Sequence, residues 1–311
     1  MMSEPASGSP LRVSGLGKHY GEFEVLRELS LELRHGAVHG LVGLNGSGKT
    51  TTLECILGLQ TFNRGAIEVL GLPPSDLYRS RGRVVGIFDT PSLHPNLTVQ
   101  QSLQHALLLC DKPQRSIAEV EELLGITRYR NFKIRHLSLG NRRRASIAQA
   151  LLGNPELIIL DEPFNGLDAE GVDDVLALIQ SLNQDHGTAF LLSSHQLPYL
   201  EQICTHLAIL HRGSIAVSDS VSALFSRQQT RLQIRCEPVS RALSLLHGAG
   251  HPSFALADDG VTLSGEPGSA SPAELNQLLV NAGIAVHELV QQRASLTSLF
   301  HQITSSDTAG A

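Results

Sequence analysis

The segment Gly43-Leu-Asn-Gly-Ser-Gly-Lys-Thr50 decides the fold, because its spacing is that of a phosphate-binding loop, GxxxxGK followed by Ser or Thr. The apolar run Val38–Val42 leads into it, and a helical pattern follows from Thr50 to Leu59. In a strand, loop and helix of this order, the glycines turn backbone N–H groups toward a phosphate at the positive end of the helix. The predicted nucleotide contacts are Gly43, Leu44, Asn45, Gly46, Ser47, Gly48, Lys49, Thr50 and Thr51.

Two side chains of this loop have the chemistry for a nucleoside triphosphate and its metal. Lys49 provides a positive charge suited to the β- and γ-phosphates, and the hydroxyl of Thr50 is suited to ligate Mg²⁺. On this segment alone, a glycine-rich turn without a ligand is the other interpretation. We expect ATP and Mg²⁺ to bind here.

A second predicted strand, Leu157–Leu160, ends in two adjacent carboxylates, Asp161 and Glu162. Open α/β sheets bind ligands at the carboxyl ends of their strands. Asp161 is suited to hold Mg²⁺ through water, and Glu162 to polarise the water that attacks the γ-phosphate. An acidic loop tip in solvent is the other interpretation. Following a phosphate loop, the pair predicts hydrolysis of ATP.

Strand-like and helix-like runs follow one another along the chain and indicate an α/β fold, which the phosphate loop identifies as the P-loop nucleotide hydrolase type. Residues 11–42 contain short strand-like runs, and residues 98–152 have mostly helical apolar spacing. The apolar runs 157–160 and 189–192 suit a buried parallel sheet.

The sequence pattern changes from about Ser226, and no spacing typical of catalytic residues is visible beyond that point. Strand-like and helix-like runs there occupy Leu232–Arg235, Ser240–Leu246, Gly260–Leu263 and Ala273–Ala282. We predict a loose tail at residues 1–10, a nucleotide-binding domain at 11–225 with a helical insert at about 90–152, and a small α+β domain at 228–311.

Charge and hydropathy exclude several classes of function. The net charge is -6 and the isoelectric point about 6.1, and the only dense basic cluster is Arg142-Arg143-Arg144, which argues against a nucleic-acid partner. The chain does not begin like a secretory signal, and no run approaches the roughly 18 apolar residues of a membrane-spanning helix. We expect a cytoplasmic protein that reaches a membrane only through a partner.

Beyond these motifs, the chain resembles the nucleotide-binding subunit of ABC transporters over about residues 11 to 220. Leu137-Ser-Leu-Gly-Asn141 is similar to the family signature LSGGQ. The resemblance implies that Ser138 and Gly140 contact the γ-phosphate held by a second subunit. It further implies an antiparallel β subdomain beside the P-loop sheet and a helical insert.

Three further positions take their roles from this resemblance. Asp168, in Gly166-Leu-Asp168, resembles the loop that joins two subunits at their nucleotides. His195 resembles the switch histidine that contacts the γ-phosphate, and Tyr20 resembles the aromatic residue that stacks on adenine. For Tyr20, packing in the core is the other interpretation.

The chain departs from the family pattern at two places. Asp89 stands where most members have Gln; its carboxylate is suited to Mg²⁺ or its waters but lacks the amide donor. The surrounding residues 89–98 resemble a subgroup of bacterial exporters that confer resistance to peptide antibiotics such as bacitracin and lantibiotics. Leu139 and Asn141 replace the commoner Gly and Gln of the signature. Both departures affect residues expected to act in hydrolysis, so the rate of ATP hydrolysis can differ from that of typical family members.

The resemblance implies an ATPase subunit that dimerises around two ATP molecules and drives a separate membrane permease, exporting a drug or antimicrobial peptide. The tail Ala294–Thr304 resembles the C-terminal helix of type 2 exporter ATPases, or is a plain amphipathic helix. Two alternatives stay open. One is a soluble ABC ATPase without a membrane partner, and the other is a regulatory nucleotide-binding module with weak hydrolysis.

Overall fold

The computed structural model describes residues 9–89, 93–110, 112–226, 231–257, 259–268, 270–292 and 295–305. Residues 1–8 of the predicted tail, 90–92 and 111 of the predicted insert, and Ala294 at the start of the predicted C-terminal helix lie outside this part of the chain. The chain divides into two compact units, Met1–Val221 and Ser222–Ala311.

Strands and helices are numbered along the chain. The strands are β1 Leu11–Tyr20, β2 Phe23–Leu33, β3 Val38–Val42, β4 Arg64–Val69, β5 Val84–Ile87, β6 Leu157–Asp161, β7 Ala189–Ser194, β8 His206–His211, β9 Ser214–Ser220, β10 Arg231–Glu237, β11 Ala255–Leu256, β12 Thr262–Gly265 and β13 Ala285–Gln292. The α-helices are α1 Lys49–Ile56, α2 Val99–Leu109, α3 Ile117–Leu123, α4 Leu139–Leu151, α5 Ala169–His186, α6 Leu197–Ile203, α7 Val221–Ser226, α8 Val239–Gly248, α9 Pro272–Asn281 and α10 Leu296–Ser305.

The first unit contains two sheets. Strands β2, β1 and β4 form an antiparallel sheet in that order, which confirms the predicted antiparallel subdomain. The larger sheet has the order β5-β6-β7-β3-β8-β9, and all neighbours pair in parallel except β8 and β9. Every residue of β3, β6 and β7 is buried, as the continuous apolar runs of a parallel sheet require.

The register of the parallel strands brings the phosphate loop close to the paired carboxylates. Val42 lies opposite Ser194 on β7, and Ser193 lies opposite Asp161 on β6. The phosphate loop therefore leaves β3 at the same edge of the sheet where the paired carboxylates leave β6. This is the edge at which open α/β sheets bind ligands.

Within the described residues, three α-helices separate β5 from β6 and confirm the predicted helical character of this stretch. Thr98 and Ser116 each accept a backbone hydrogen bond at the start of their helices and form capping boxes with Gln101 and Glu119. Ser138 caps α4 in a similar way by accepting from the N–H of Asn141 at 3.3 Å. Each helix thus begins where its sequence offers a hydroxyl.

The second unit is a four-stranded antiparallel sheet of order β11-β12-β10-β13 with α8 and α9 packed against it. Its core joins β10 residues Leu232 and Ile234 to Leu246 of α8 and to Leu275 and Leu279 of α9. The strand-like and helix-like runs of the sequence are confirmed here, whereas β13 had no prediction. On α10, Leu296 and Phe300 are buried, which fits an amphipathic helix.

A stacked histidine pair joins β3 to β8. His39 lies opposite His206, and their rings stack with centroids 4.7 Å apart. His39 is 3% exposed, and neither ring nitrogen has a hydrogen-bond partner among the described residues. Burial, followed by the charges of His206 and Arg34, lowers the pKa of His39 from 6.5 to about 4.

This pKa shift predicts a loss of stability in mild acid. Below pH 6.5 the unfolded chain binds a proton at this position that the folded chain refuses until pH 4. Above pH 6.5, His39 therefore causes no loss of unfolding free energy. Between pH 6.5 and 4 the unfolding free energy falls, by at most about 1.4 kcal/mol per pH unit. His39→Phe keeps the stacking and should flatten the fall in unfolding free energy between pH 7 and 5, measured by urea titration.

The matched control is His105→Phe, since His105 is exposed on α2. We expect its pH profile to follow that of the unmodified protein. Equal slopes for His39→Phe and the unmodified protein would contradict a depressed pKa at His39.

Candidate functional site

The phosphate loop is fixed by close packing around its glycines. Gly48 has a φ of +105°, and a Cβ there would lie 2.6 Å from a methyl group of Leu26. A Cβ on Gly43 would lie 2.7 Å from the carbonyl oxygen of Leu210. The hydroxyl of Ser47 is buried and has no hydrogen-bond partner among the described residues, so a ligand oxygen would satisfy it.

Lys49 begins α1 with its side chain inside the loop. Its Nζ donates to the carbonyl oxygens of Gly43 at 2.9 Å and Leu44 at 3.3 Å. It also lies 3.2 Å from a carboxylate oxygen of Glu162. The side chain is 6% exposed, so the charge acts in a place from which water is largely excluded.

The side-chain oxygens of Thr50 and Asp161 lie together. The Thr50 hydroxyl donates to Oδ2 of Asp161 at 2.9 Å, and the Ser193 hydroxyl donates to Oδ1. The hydroxyl at the start of α1 and the carboxylate at the end of β6 are the hard donors that Mg²⁺ prefers, and the remaining ligands would come from phosphate and water. The donor set fits Mg²⁺.

Glu162 lies at the centre of the site in an unusual backbone conformation. Its φ is +47°, in the left-handed region, and its N–H donates to the carbonyl oxygen of Ser193 at 3.0 Å. Both carboxylate oxygens lie 3.0 Å from Nδ1 of His195, and one also faces Lys49. The turn thus aims a largely buried carboxylate between a lysine and an imidazole.

His195, which is predicted to contact the γ-phosphate, lies beside Glu162. Its side chain is 39% exposed, and Nε2 makes no hydrogen bond to the described residues. With Nδ1 on Glu162, that second nitrogen is available to a phosphate oxygen or to water. The imidazole can therefore orient Glu162 and contact a ligand at the same time.

Sequence reasoning missed Arg143, which shows in the sequence only as the middle of a short basic cluster. It is 1% exposed, and its Nη1 donates to the carbonyl oxygens of Glu162 at 3.1 Å and of Pro163. Its Nη2 donates to the backbone oxygen of Asp89 at 2.9 Å and lies 3.5 Å from the Asp89 carboxylate. Asp89 is thus paired with an arginine, while half of its side chain remains exposed.

The remaining predicted phosphate contacts lie in a different pocket of the same unit. Its volume is about 340 Å³, and Ser138, Gly140 and Asp168 line it, together with Arg144. No residue of the phosphate loop is among the described lining residues. The structure therefore brings Lys49, Thr50, Asp161, Glu162 and His195 together but places the signature residues elsewhere.

The altered signature has a packing role. A Cβ on Gly166, whose φ is +69°, would lie 2.7 Å from a methyl group of Leu139. Asp168 caps α5 by accepting from the N–H of Gly171 at 2.9 Å. Leu139 thus packs against the turn that leads to Asp168, which gives a structural reason for a larger residue at a position where Gly is commoner.

Tyr20 closes β1 with its side chain in solvent. It is 47% exposed, so the alternative of a core aromatic is wrong. The Nζ of Lys18 lies 4.6 Å from the ring centroid and donates to the carbonyl oxygen of Thr61. One side of the ring therefore rests on a fixed cation, and a flat ligand can reach the rest.

No helix within the described ranges is long and apolar enough to cross a bilayer.

The fold and the site define a P-loop ATPase. Residues 26–165 match the model of the family described as ABC transporter. An uncharacterised ABC transporter ATP-binding protein, YdbJ of Bacillus subtilis (strain 168), is 33% identical over 307 residues, which is 98% of this chain and 97% of that protein. The chain belongs to the family of ABC transporter ATP-binding proteins and is an ATP-binding, ATP-hydrolysing subunit.

Two further likenesses extend the comparison. The bacitracin transport ATP-binding protein BcrA of Bacillus licheniformis is 30% identical over 311 residues, covering 96% of this chain and 99% of that protein. A solved ATP-binding subunit of an ABC transporter has a TM-score of 0.64 and 29% identity, covering 70% of this chain and 93% of that one.

Proposed function

We propose that this chain powers an ABC exporter for a drug or antimicrobial peptide through a separate membrane permease, and that it works as a dimer. The proposed dimer rests on one observation, which is that the predicted phosphate contacts lie in two separate places on the chain. The phosphate loop and Glu162 lie in one place, and Ser138, Gly140 and Asp168 in another. A second copy, related by a two-fold axis, supplies the missing half to each nucleotide.

Within each half, the residues take complementary roles. Lys49 and the loop N–H groups bind the β- and γ-phosphates, and Tyr20 stacks on adenine. Glu162 accepts a proton from the attacking water, while His195 orients its carboxylate and contacts the γ-phosphate. The contacts of Ser138 and Gly140 with the nucleotide of the second copy close the dimer interface, and hydrolysis of ATP opens it again.

Mg²⁺, which neutralises phosphate charge when bound, would be held by Thr50 and Asp161, with Asp89 near its waters. Hydroxyl and carboxylate oxygens support this assignment.

The exported substrate class and direction rest on the bacitracin transport relatives and on the acidic residue at position 89. On this proposal the chain is cytoplasmic and lies peripherally on the cytoplasmic face of the membrane. We assign residues 228–311 to an accessory domain, and the helices between β5 and β6 to the surface that contacts the permease. Leu108 and Leu109 at the end of α2 are 85% and 76% exposed, which supports an apolar contact there.

Co-expression with the membrane protein encoded beside its gene tests the exporter. We expect the chain to fractionate with membranes only when that protein is present, and the pair to raise the bacitracin or lantibiotic concentration needed to stop growth. Leu108→Ser combined with Leu109→Ser should release the chain from the membrane, whereas Leu59→Ser, at a leucine 62% exposed outside this surface, should not. A chain that stays soluble beside its membrane neighbour would favour an ABC ATPase without a membrane partner.

A further inference from the structure

Arg143 joins three segments of the site that are distant in sequence. It lies in α4, and its two terminal nitrogens reach the turn after β6, at Glu162 and Pro163, and the segment after β5, at Asp89. The guanidinium is planar and rigid, so one bound group fixes the spacing of all three. None of the motifs used above assigns a role to this residue.

Burial lowers the pKa of Arg143, and nearby carboxylates offset part of this effect. Asp89, Asp161 and Glu162 act on the guanidinium electrostatically, and Asp89 is the one of the three whose side chain bonds to it. A buried guanidinium needs such partners, because an unpaired buried charge is strongly unfavourable. Conversely, Asp89 without Arg143 would leave a half-exposed carboxylate without this partner.

We propose that Arg143 is a positioning residue for hydrolysis, which holds Glu162 in its left-handed conformation and neutralises Asp89. The inference rests on the proposed role of Glu162 and adds the part of the chain that sets its position. Arg143 caps the carbonyl of Glu162 itself, so the backbone that aims the carboxylate is tied to α4.

The position of Arg143 on α4 connects Ser138 to the turn at Glu162. The helix begins at its Ser138 cap, and Arg143 lies five residues further along, about 7.5 Å along the axis. A helix moves as a rigid element over this length. A displacement of Ser138 by the γ-phosphate of the second copy therefore reaches the turn of Glu162 through one side chain.

Single-turnover hydrolysis of radiolabelled ATP by the full-length chain tests the proposal, since excess protein makes slow rates measurable. Arg143→Gln should lower the rate of hydrolysis about 100-fold, the scale of a misplacement of about 1 Å at a reacting group. ATP affinity, measured with a fluorescent analogue, should change less than about threefold, because Arg143 makes no contact with the phosphate loop among the described residues. Arg143→Lys keeps the charge and should recover part of the rate.

Arg115→Gln is the matched control. Arg115 also donates to backbone carbonyls, those of Leu151 and Gly153 at the far end of α4, and lies outside the site. We expect its hydrolysis rate to equal that of the unmodified chain. If Arg143→Gln lowers the melting temperature and ATP affinity along with the rate, and Arg143→Lys recovers none of it, Arg143 has only a structural role and the proposal is wrong.

A double-mutant cycle with Asp89→Gln tests the charge pair. Asp89→Gln alone should slow hydrolysis, because it removes the partner of Arg143. In the Arg143→Gln background the same change should raise the rate, because it removes an unpaired carboxylate, and the two effects should differ by at least about tenfold. Additive effects would overturn the pairing of Asp89 with Arg143.

Glu162→Gln, measured in the same assay, separates this proposal from the proposed function. If Glu162→Gln hydrolyses ATP normally, the role of Glu162 fails whatever Arg143 does. If Glu162→Gln is inactive and Arg143→Gln is normal, only the role of Arg143 fails.

Discussion

Glu162→Gln is expected to lower ATP hydrolysis at least about 100-fold, the contribution of a positioned general base, and to trap a stable ATP-bound dimer. The amide retains the size of the side chain and can still hydrogen-bond His195 and Lys49, so nucleotide binding should survive. It no longer accepts a proton from water. Phosphate release gives the rate, and size-exclusion chromatography at saturating Mg-ATP gives the oligomeric state.

Glu156→Gln is the control for this change. Glu156 precedes the same strand at its opposite end, where it pairs with Arg83 on the surface at 3.1 Å. Its phosphate release and oligomeric state should match those of the unmodified chain. A Glu162→Gln protein that stays monomeric at saturating Mg-ATP would contradict the proposed dimer. Unchanged phosphate release would show that Glu162 is not the general base.

Lys49→Met and Ser138→Arg are expected to be inactive alone and active when mixed. Lys49→Met removes the buried cation of the phosphate loop, and Ser138→Arg places a bulky cation in the pocket lined by Gly140 and Asp168. In a mixed dimer, one nucleotide meets the intact loop of one copy and the intact Ser138 of the other. Equal mixing should restore about one quarter of the activity, because half of the dimers are mixed and each has one intact site of two.

The measurement is ATP hydrolysis per chain after the two proteins have been mixed and allowed to exchange subunits. Mixing two Lys49→Met preparations is the control and should restore nothing. Activity no greater than the average of the two variants would contradict a site shared between copies.

Much of the site could be predicted because the chemistry of phosphate binding demands fixed residue types at fixed spacing. The loop around Lys49 and the carboxylates at the end of β6 follow from local sequence. Their meeting follows from the parallel register that pairs Asp161 with Ser193. The predicted strands and helices were those with clear apolar periodicity, such as β3 and α2.

The features that escaped prediction depend on contacts between distant parts of the chain. Arg143 lies 54 residues from Asp89, and no local pattern reveals that they meet. The exposure of Tyr20 is set by the end of its strand and by Lys18 beneath it, so residue type alone left two interpretations open. His39 resembles any strand residue until its neighbour across the sheet, His206, is known.

The left-handed turn at Glu162 has an evolutionary consequence. A residue with a Cβ at a φ of +47° costs about 1 kcal/mol more than Gly would. Mutation without selection for activity would therefore drift toward Gly or Asn here, and the fold would gain stability as it lost the carboxylate. On the proposed role of Glu162, selection for ATP hydrolysis would oppose this drift and keep the carboxylate.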